Sequence, residues 1–273
     1  MLNSEAFWKE YNQKGYCILK LKNVAQLHTI ADNITTNYSI SNTRFFYSLL
    51  ELDAASSKSV SALVSSFFYS ELQNILDNYQ FLTGSFLSKP PHAKDELLLH
   101  QDWNYVDETM YTPITCWAPL ADTDTTSGGM FLIEGSHKFQ NNIRSNNYET
   151  SRFLSTEFPE ELIKKVQVKV GEVLLFNPSI WHGSSPNRSD KNRNVLTCIA
   201  IPKEAKVIYA HKIDENTCSV YTLENDGIEN YLTYFVRNEI PPTIANSRKT
   251  FSYSHIDITI QTLKNKIDEN SKG

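Results

Sequence analysis

The spacing of apolar residues divides the chain into a helical N-terminal part and a later part of short strands. Near the N-terminus, apolar residues recur every three or four positions, which is typical of amphipathic helices. Gly15 ends the first helix, and the segment Tyr16–Leu21 that follows it predicts a strand. The predicted helices cover 4–13, 24–38 and 70–79, and a buried helix face is predicted within 54–68.

From Leu97 onward the apolar runs become short and are separated by turn-forming residues. Several short strands at such spacing are typical of a β-sandwich or a β-barrel. Helices followed by strands indicate an α+β, mainly β fold, in which N-terminal helices flank a β core. The stretch 140–161 is a polar insertion, and a last helix is predicted over 257–268. The predicted strands are Leu97–His100, Thr112–Leu120, Met130–Glu134, Val166–Val170, Glu172–Phe176 and Asn194–Ile201.

Composition limits the classes of protein that the chain can represent. A length of 273 residues suits one large domain or two small ones, and 40% hydrophobic residues is the composition of a globular protein. We expect a single domain over 1–273, with a net charge of -5. Proteins that bind nucleic acid usually carry a basic surface, so we expect no such partner. The sequence has no signal peptide and no run of about 18–20 apolar residues, so we expect no membrane segment. We therefore expect a cytoplasmic protein whose four cysteines are reduced thiols.

Two histidines and one aspartate have the spacing of a metal site. His100 and Asp102 lie two residues apart at the end of an apolar strand, and alternate residues of a strand point to the same face. His182 ends another strand-like run further along the chain. Two histidines and one carboxylate on one face of a metal ion leave its opposite coordination positions open. This arrangement is the facial triad of non-haem Fe(II) oxygenases. Zinc accepts the same ligands, so a zinc hydrolase stays open as an alternative.

An arginine after the second histidine suggests how a cosubstrate is held. Arg193 lies at the start of the predicted strand Asn194–Ile201. A guanidinium group can bind a carboxylate through two parallel hydrogen bonds. Iron of this type commonly uses a 2-oxo acid with a second carboxylate at its far end, and Arg193 could bind that end. The alternative is a solvated loop arginine, like the neighbouring Arg188.

Several segments around these residues follow one another in a characteristic order. They are His100-Gln101-Asp102, Trp117-x-x-Leu120, Gly128–Lys138, Gly171–Phe176 and His182-Gly183-Ser184-x-x-Asn187, and Arg193 closes the series. In order and spacing they resemble the phytanoyl-CoA dioxygenase family of Fe(II)/2-oxoglutarate oxygenases. The resemblance covers roughly residues 5–202, and each segment alone is a weak signal.

The resemblance implies a fold and a division of the chain. The fold would be a double-stranded β-helix, a jelly-roll of the cupin type. The family-like core would span about 5–202. The remaining residues, 203–273, would form a C-terminal extension that lines the substrate pocket or acts as a lid.

The resemblance also implies cofactors and a reaction. With Fe(II), 2-oxoglutarate and O2, such an enzyme hydroxylates an unactivated C–H bond and releases succinate and CO2. Related halogenases lack the carboxylate ligand, so an aspartate in the metal motif favours hydroxylation, or a desaturation or cyclisation variant, over halogenation. The implied residues are His100, Asp102 and His182 for iron and catalysis, and Arg193, Ser184 and Trp117 for 2-oxoglutarate.

The expected substrate is a small molecule. We expect a free amino acid, an amino-acid derivative or a natural-product intermediate, because the acidic chain shows no basic cluster for the phosphates of an acyl-CoA. An acyl-CoA hydroxylase of the same mechanism and a non-catalytic cupin-fold binding protein are the alternatives. Monomer and homodimer both stay open. The candidate substrate residues are Trp103, Asn104 and Tyr105, which follow the metal motif, with Arg44 and Arg152 as possible polar contacts.

Overall fold

The structure, a computed structural model, describes residues 4–94, 96–139, 143–144, 153–214, 217–223, 248–252 and 259–270. The helices in these residues are α1 (Ser4–Lys14), α2 (Val24–Asn37), α3 (Ser48–Glu51), α4 (Ala54–Leu72) and α5 (Ile260–Asn270). The Asn23 side chain accepts a hydrogen bond from a backbone N–H of α2, and Asp53 accepts two from α4. Such caps stabilise a helix by about 1 kcal/mol each.

The strands of the described residues form three antiparallel sheets. They are β1 (Tyr16–Lys20), β2 (Phe46–Tyr47), β3 (Tyr79–Lys89), β4 (Leu97–His100), β5 (Ile114–Pro119), β6 (Met130–Leu132), β7 (Lys164–Lys165), β8 (Glu172–Phe176), β9 (His182–Ser184), β10 (Arg193–Pro202), β11 (Ile208–Asp214), β12 (Thr217–Thr222) and β13 (Arg248–Ser252). The large sheet has the order β1-β8-β5-β10-β3-β2, the small sheet β4-β9-β6-β7, and the third sheet β11-β12-β13. From β4 to β10 the chain passes back and forth between the large and small sheets, as in a double-stranded β-helix.

The two faces of the large sheet contact different layers. Along β5, Trp117 packs toward the small sheet, where it joins Met130 and Leu132 of β6 in one cluster. Cys116 and Ala118, which alternate with Trp117, join the cluster formed with the helices. The β core therefore lies between the two sheets, with a helical layer outside the large sheet.

Helices α1, α2 and α4 form that outer layer. Leu27 and Ile34 of α2 and Val64 and Phe68 of α4 are all 0% exposed. Full burial of such a side chain contributes about 1.5–3 kcal/mol, so this face contributes strongly to folding. None of the helices in the described residues is long and apolar enough to cross a membrane.

The prediction of a separate helix over 70–79 is wrong. Helix α4 runs unbroken to Leu72, and the chain then turns before β3 begins at Tyr79. Leu72 and Leu76 are both buried, which explains the helical spacing of the apolar positions. The turns over 73–78 contain Asn74, Asp77 and Asn78, residue types that favour turns over helix.

The strand predicted over Val166–Val170 is also wrong. Strand β7 is Lys164–Lys165, and Val168 forms only an isolated bridge with Thr123. Val166 and Val168 are buried, so the alternation reflects packing without a continuous ladder. The other predicted strands are present, several with shorter bounds, and most of the predicted insertion 140–161 lies outside the described residues.

The chain after residue 202 adds a sheet and a helix to the jelly-roll. The hairpin of β11 and β12 places Tyr209 in a buried cluster against which Trp103 and Tyr105 pack. Helix α5 places Leu263, which is 2% exposed, with Trp181 in a cluster on the outer face of the small sheet. The predicted last helix is confirmed as α5, although its first two predicted residues lie outside the described part.

All four cysteines are buried and none forms a disulfide. Each is 0% exposed, on β1, β5, β10 and β12 respectively. Burial raises the pKa of the Cys116 and Cys198 thiols, which disfavours the reactive thiolate form. The fold therefore accommodates them as reduced thiols, as expected.

Candidate metal centre

Strands β4 and β9 place the two predicted histidines side by side. His100 lies directly opposite His182 in the antiparallel pair, with ring centroids 4.4 Å apart. Asp102 lies just beyond β4, where its backbone N–H donates to the carbonyl oxygen of Pro178 at 2.8 Å. Its Oδ1 atom is 3.9 Å from Nε2 of His100 and 3.7 Å from Nε2 of His182. Ligand atoms of the three residues lie within 4.8 Å of one another, a separation that suits one shared metal ion.

Backbone carbonyl groups fix the orientation of both imidazole rings. Nδ1 of His100 is 2.7 Å from the carbonyl oxygen of Leu98, and Nδ1 of His182 is 2.9 Å from that of Ile180. A carbonyl oxygen only accepts hydrogen bonds, so Nδ1 carries the proton and Nε2 keeps its lone pair. Metal-binding histidines almost always make such an outer hydrogen bond. Both rings are therefore oriented to bind a metal through Nε2.

The three side chains differ in their access to solvent. The side chain of His182 is 5% exposed, whereas those of His100 and Asp102 are 19% and 25% exposed. One side of the site is thus closed by protein, and the other is accessible. Two neutral imidazoles and one carboxylate suit Fe(II), and this donor set leaves further coordination positions open.

Gly183 allows the close approach of β9 to its two neighbouring strands. A Cβ atom at this position would overlap the carbonyl oxygen of Leu97 and the ring of Phe131. Leu97 belongs to β4 and Phe131 to β6, so a side chain here has no space on either side. The glycine between His182 and Ser184 is therefore a packing requirement of the site.

We expect Gly183→Ala to weaken metal binding although it changes no ligand. The added methyl group must push β9 away from β4, which separates His182 from His100 and costs about 1–3 kcal/mol of overpacking. The measurements are the Kd for Co(II) by calorimetry and the melting temperature of the apoprotein. A variant with the wild-type Kd would contradict this packing argument.

Arg193 begins β10 and lies buried between the sheets. It is 6% exposed, and its Nε atom has no hydrogen-bond partner among the described residues. Its guanidinium carbon is 5.6 Å from the centre of the Trp117 ring, within range of a cation–π contact. Burial lowers the pKa of Arg193 to about 10, because desolvation disfavours the charged form. A buried cation with an unused donor fits a carboxylate such as the far end of 2-oxoglutarate.

A second cation, Lys89, lies beside Arg193 and was not predicted from the sequence. The two residues are direct cross-strand partners of β3 and β10, so their side chains lie on the same face of the large sheet. Lys89 is 4% exposed, and its Nζ donates to Ser184 Oγ at 2.8 Å and to the Ser185 carbonyl oxygen at 2.7 Å. The predicted residue Ser184 is thus held in place by Lys89. Lys89 lies two residues after Leu87, so both residues are on the core face of the same apolar strand. This position is the sequence signal that could have identified Lys89.

Thr115, to which the sequence assigned no role, and Tyr47 lie near Asp102. Thr115 of β5 donates from Oγ1 to Asp102 Oδ2 at 3.1 Å. Burial, and to a smaller extent the Asp102 charge, raise the pKa of Tyr47 on β2. Burial likewise raises the pKa of Tyr105, with smaller contributions from Tyr47 and Asp102. These side chains therefore share the surroundings of the metal ligands.

The predicted substrate residues fall into two groups. Trp103 and Tyr105 are half-buried and pack against the cluster that includes the C-terminal hairpin. Asn104 is 7% exposed, and its Oδ1 atom accepts a backbone N–H from the polar insertion. Arg44 lies on the surface, with its guanidinium 2.5 Å from a carboxylate oxygen of Glu51. Asn104 and Arg44 thus have structural partners of their own.

Arg144, in the polar insertion, ties the metal motif to the loop that follows it. It is 3% exposed, and its Nε donates to the backbone carbonyl oxygen of Asp102 at 2.6 Å. One terminal nitrogen donates to both carboxylate oxygens of Glu108, at 2.6 and 2.7 Å. The arginine of this insertion that the sequence suggested, Arg152, lies outside the described residues.

The fold and the site together define a class of protein. A double-stranded β-helix with two histidines and one carboxylate converging between its sheets is typical of non-haem Fe(II) oxygenases. The chain belongs to the phytanoyl-CoA dioxygenase family, whose model matches residues 11–195. Members of this family are Fe(II)/2-oxoglutarate-dependent oxygenases. The matched range contains the candidate metal ligands and Arg193.

Curated relatives match part of the chain. Phytanoyl-CoA dioxygenase 1 from Oryza sativa subsp. japonica is 29% identical over 170 residues, which are 58% of this chain and 57% of that protein. A phytanoyl-CoA dioxygenase from Arabidopsis thaliana is 26% identical over 42% of each chain. The chain therefore spans about half the length of the curated relatives that it matches.

Solved structures share the fold at low sequence identity. One of them is HygX from Streptomyces hygroscopicus, solved with nickel, 2-oxoglutarate and hygromycin B bound. It matches with a TM-score of 0.55 and 16% sequence identity, and the match covers 74% of this chain and 88% of HygX. The 2-oxoglutarate-dependent epimerase SnoN from nogalamycin biosynthesis has a TM-score of 0.56, 15% identity, and coverage of 76% and 85%. These likenesses confirm the predicted jelly-roll fold.

Proposed function

We propose that the chain is an Fe(II)- and 2-oxoglutarate-dependent oxygenase that hydroxylates an unactivated C–H bond of a small molecule. The observation that carries the proposal is the convergence of His100, Asp102 and His182, whose ligand atoms lie within 4.8 Å of one another. The orientation of both Nε2 atoms supports their assignment as metal ligands. Family membership supports the reaction class.

Each side chain of the site has a separate task in this reaction. His100, Asp102 and His182 hold the iron from one side. Bound Fe(II) supplies the activation of O2 and the oxidative decarboxylation of 2-oxoglutarate to succinate and CO2. Arg193 binds the far carboxylate of 2-oxoglutarate, and the Trp117 ring supports the guanidinium and keeps water away from it.

Lys89 and Ser184 complete the cosubstrate pocket. Lys89 holds the Ser184 hydroxyl at 2.8 Å on the same side of the large sheet as Arg193. Lys89 and Arg193 are neighbouring buried cations, so both attract the far carboxylate of 2-oxoglutarate, and in a dry pocket this attraction is stronger than in water. The serine hydroxyl orients the bound dicarboxylate by a further hydrogen bond.

The C-terminal extension forms one wall of the substrate pocket. The backbone N–H of Ile208, the first residue of β11, donates to the carbonyl oxygen of Tyr105 at 2.9 Å. Tyr209 and Tyr221 pack in the cluster that Trp103 joins. The extension therefore lies directly against the residues that follow the metal motif, and aromatic rings dominate that wall.

The substrate is a natural-product intermediate or another small molecule such as an amino-acid derivative. The structure of HygX was solved with hygromycin B bound, and SnoN is an epimerase of nogalamycin biosynthesis. The alternative is an acyl-CoA hydroxylase, which the names of the curated relatives favour. A non-catalytic binding protein is a weaker alternative, because the ligand set is intact and Arg193 keeps an unused buried donor.

Anaerobic titration of the apoprotein with Fe(II) and 2-oxoglutarate tests this function. We expect the weak visible charge-transfer band of a chelated Fe(II)–2-oxo acid complex. Substrate-dependent succinate formation with Fe(II), and not with Zn(II), would then exclude the zinc hydrolase. A protein that binds neither iron nor 2-oxoglutarate would overturn the proposal and favour the binding protein.

A further inference from the structure

Strand β5 presents a buried hydroxyl to the carboxylate of the metal motif. Thr115 is 5% exposed and lies between Phe176 of β8 and Ile199 of β10, its cross-strand partners. Its Oγ1 donates to Oδ2 of Asp102 at 3.1 Å, because an ionised carboxylate only accepts hydrogen bonds. The contact joins two walls of the jelly-roll, since Asp102 follows a strand of the small sheet.

The hydrogen bond divides the two carboxylate oxygens of Asp102 between different partners. Oδ1 lies 3.9 and 3.7 Å from the Nε2 atoms of His100 and His182, on the metal side. Oδ2 receives the Thr115 hydroxyl. The backbone N–H of Asp102 is fixed by Pro178, which sets the main chain but leaves rotation of the carboxylate free. Among the described residues, the Thr115 hydroxyl is the side-chain group that donates a hydrogen bond to this carboxylate and so restricts its rotation.

We propose that Thr115 is a positioning residue that keeps Asp102 Oδ1 directed at the metal. The inference rests on the proposed function, because it assumes that Asp102 is a ligand. A β-branched side chain has restricted rotamers, and Thr115 sits in an interior strand of the large sheet, so its hydroxyl is a rigid anchor. Loss of an outer partner of this kind typically lowers metal affinity by about 10–100-fold.

Strand β5 then supports both halves of the site from one face. Thr115 and Trp117 are alternate residues of the strand and point the same way. The first orients the metal-binding carboxylate, and the second lies beneath the guanidinium of Arg193. Two alternate positions of a single strand therefore hold the metal-binding carboxylate and the cosubstrate anchor in fixed relative positions.

The test is calorimetric titration of the apoprotein with Co(II), without 2-oxoglutarate or substrate, so that the readout does not depend on turnover. Thr115→Val removes the hydroxyl at nearly constant shape and should raise the Kd by about 10–100-fold. Thr115→Ser keeps the hydroxyl but not the β-branch, and should lose much less affinity than Thr115→Val. The visible spectrum of bound Co(II) should change in the valine variant and not in the serine variant.

Thr83→Val is the matched control. Thr83 is also a direct cross-strand partner of Ile199, on its other side, and is 4% exposed. Its hydroxyl has no hydrogen-bond partner among the described residues. The same substitution therefore removes a buried hydroxyl from the same row of the sheet without touching Asp102, and the Kd for Co(II) should stay unchanged.

Each outcome separates this inference from the proposed function. A wild-type protein that binds Co(II), together with a Thr115→Val variant that binds it equally well, overturns the inference and leaves the function intact. A loss in Thr115→Ser as large as that in Thr115→Val also overturns it. A wild-type protein that binds no Co(II) refutes the metal site itself. If the valine variant fails to fold, Thr115→Ala removes the hydroxyl without adding a methyl group and decides the question.

Discussion

Replacing His182 with alanine is expected to abolish metal binding and turnover in a chain that still folds. His182 is the most enclosed of the three candidate ligands, and its Nε2 is oriented toward Asp102 by the Ile180 carbonyl group. With one donor removed, His100 and Asp102 alone cannot hold the ion firmly. The loss in affinity should exceed the roughly 10–100-fold that removal of an outer partner costs.

The measurement is the Fe(II)–2-oxoglutarate charge-transfer band under anaerobic conditions, with far-ultraviolet circular dichroism to establish folding. The His182 ring also contacts Phe176, with centroids 4.7 Å apart, so a modest fall in melting temperature is expected. The matched control is His28→Ala, which removes an exposed histidine of α2 and should leave the band intact. Persistence of the band in His182→Ala would remove His182 from the ligand set.

Arg193→Met is expected to weaken 2-oxoglutarate binding by at least about 100-fold while Co(II) still binds to the apoprotein. A carboxylate left without its buried cationic partner costs about 3–5 kcal/mol, and 1.4 kcal/mol is tenfold in Kd. The affinity for Co(II) should hardly change, because the structure records no contact between Arg193 and the three metal ligands. Calorimetric titration of the metal-loaded protein with 2-oxoglutarate gives the Kd.

Arg193→Met is expected to weaken 2-oxoglutarate binding without lowering the stability of the apoprotein. Arg193 keeps a buried Nε donor without a partner, and burial lowers its pKa to about 10, so the folded apoprotein holds this cation at a cost. Methionine has no such cost, so the apoprotein should melt at the same or a higher temperature. Arg188→Met, at an exposed position nearby, is the control and should change neither quantity. Unchanged 2-oxoglutarate affinity in Arg193→Met would exclude Arg193 from the pocket.

The metal motif could be predicted from the sequence because its geometry is local. Residues i and i+2 of a strand share a face, so His100 and Asp102 were expected to converge without knowledge of the fold. His182 was harder to place, and the order of the flanking motifs supplied the link. The family resemblance then implied the jelly-roll, which the structure and the solved structures of similar fold bear out.

The supporting residues could not be predicted because register, and not local sequence, brings them to the site. Lys89 meets Arg193 across β3 and β10, although more than a hundred positions separate them along the chain. Thr115 reaches Asp102 from another sheet, and Arg144 reaches it from the polar insertion. Thr115 and Arg144 carry no periodic signal that would set them apart, and the position of Lys89 on the core face of a strand does not reveal Arg193 as its partner.

Helix and strand predictions went wrong where buried apolar residues lie in irregular backbone. Leu76, in the turn after α4, is 1% exposed, and its spacing from Leu72 is that of a helix. Val168, which was predicted to lie in a strand, is 0% exposed in a segment with only one bridge. Spacing reports which side chains are buried, and backbone hydrogen bonding is a separate property.

The burial of every native cysteine makes the protein convenient for site-specific labelling. Thiol reagents react with accessible thiolates, and the four native thiols are 0% exposed. A single cysteine introduced at Met110, which is 71% exposed in the loop after the metal motif, would thus carry a maleimide dye alone. Its fluorescence would report movement of that loop as ligands bind, without prior removal of the native cysteines.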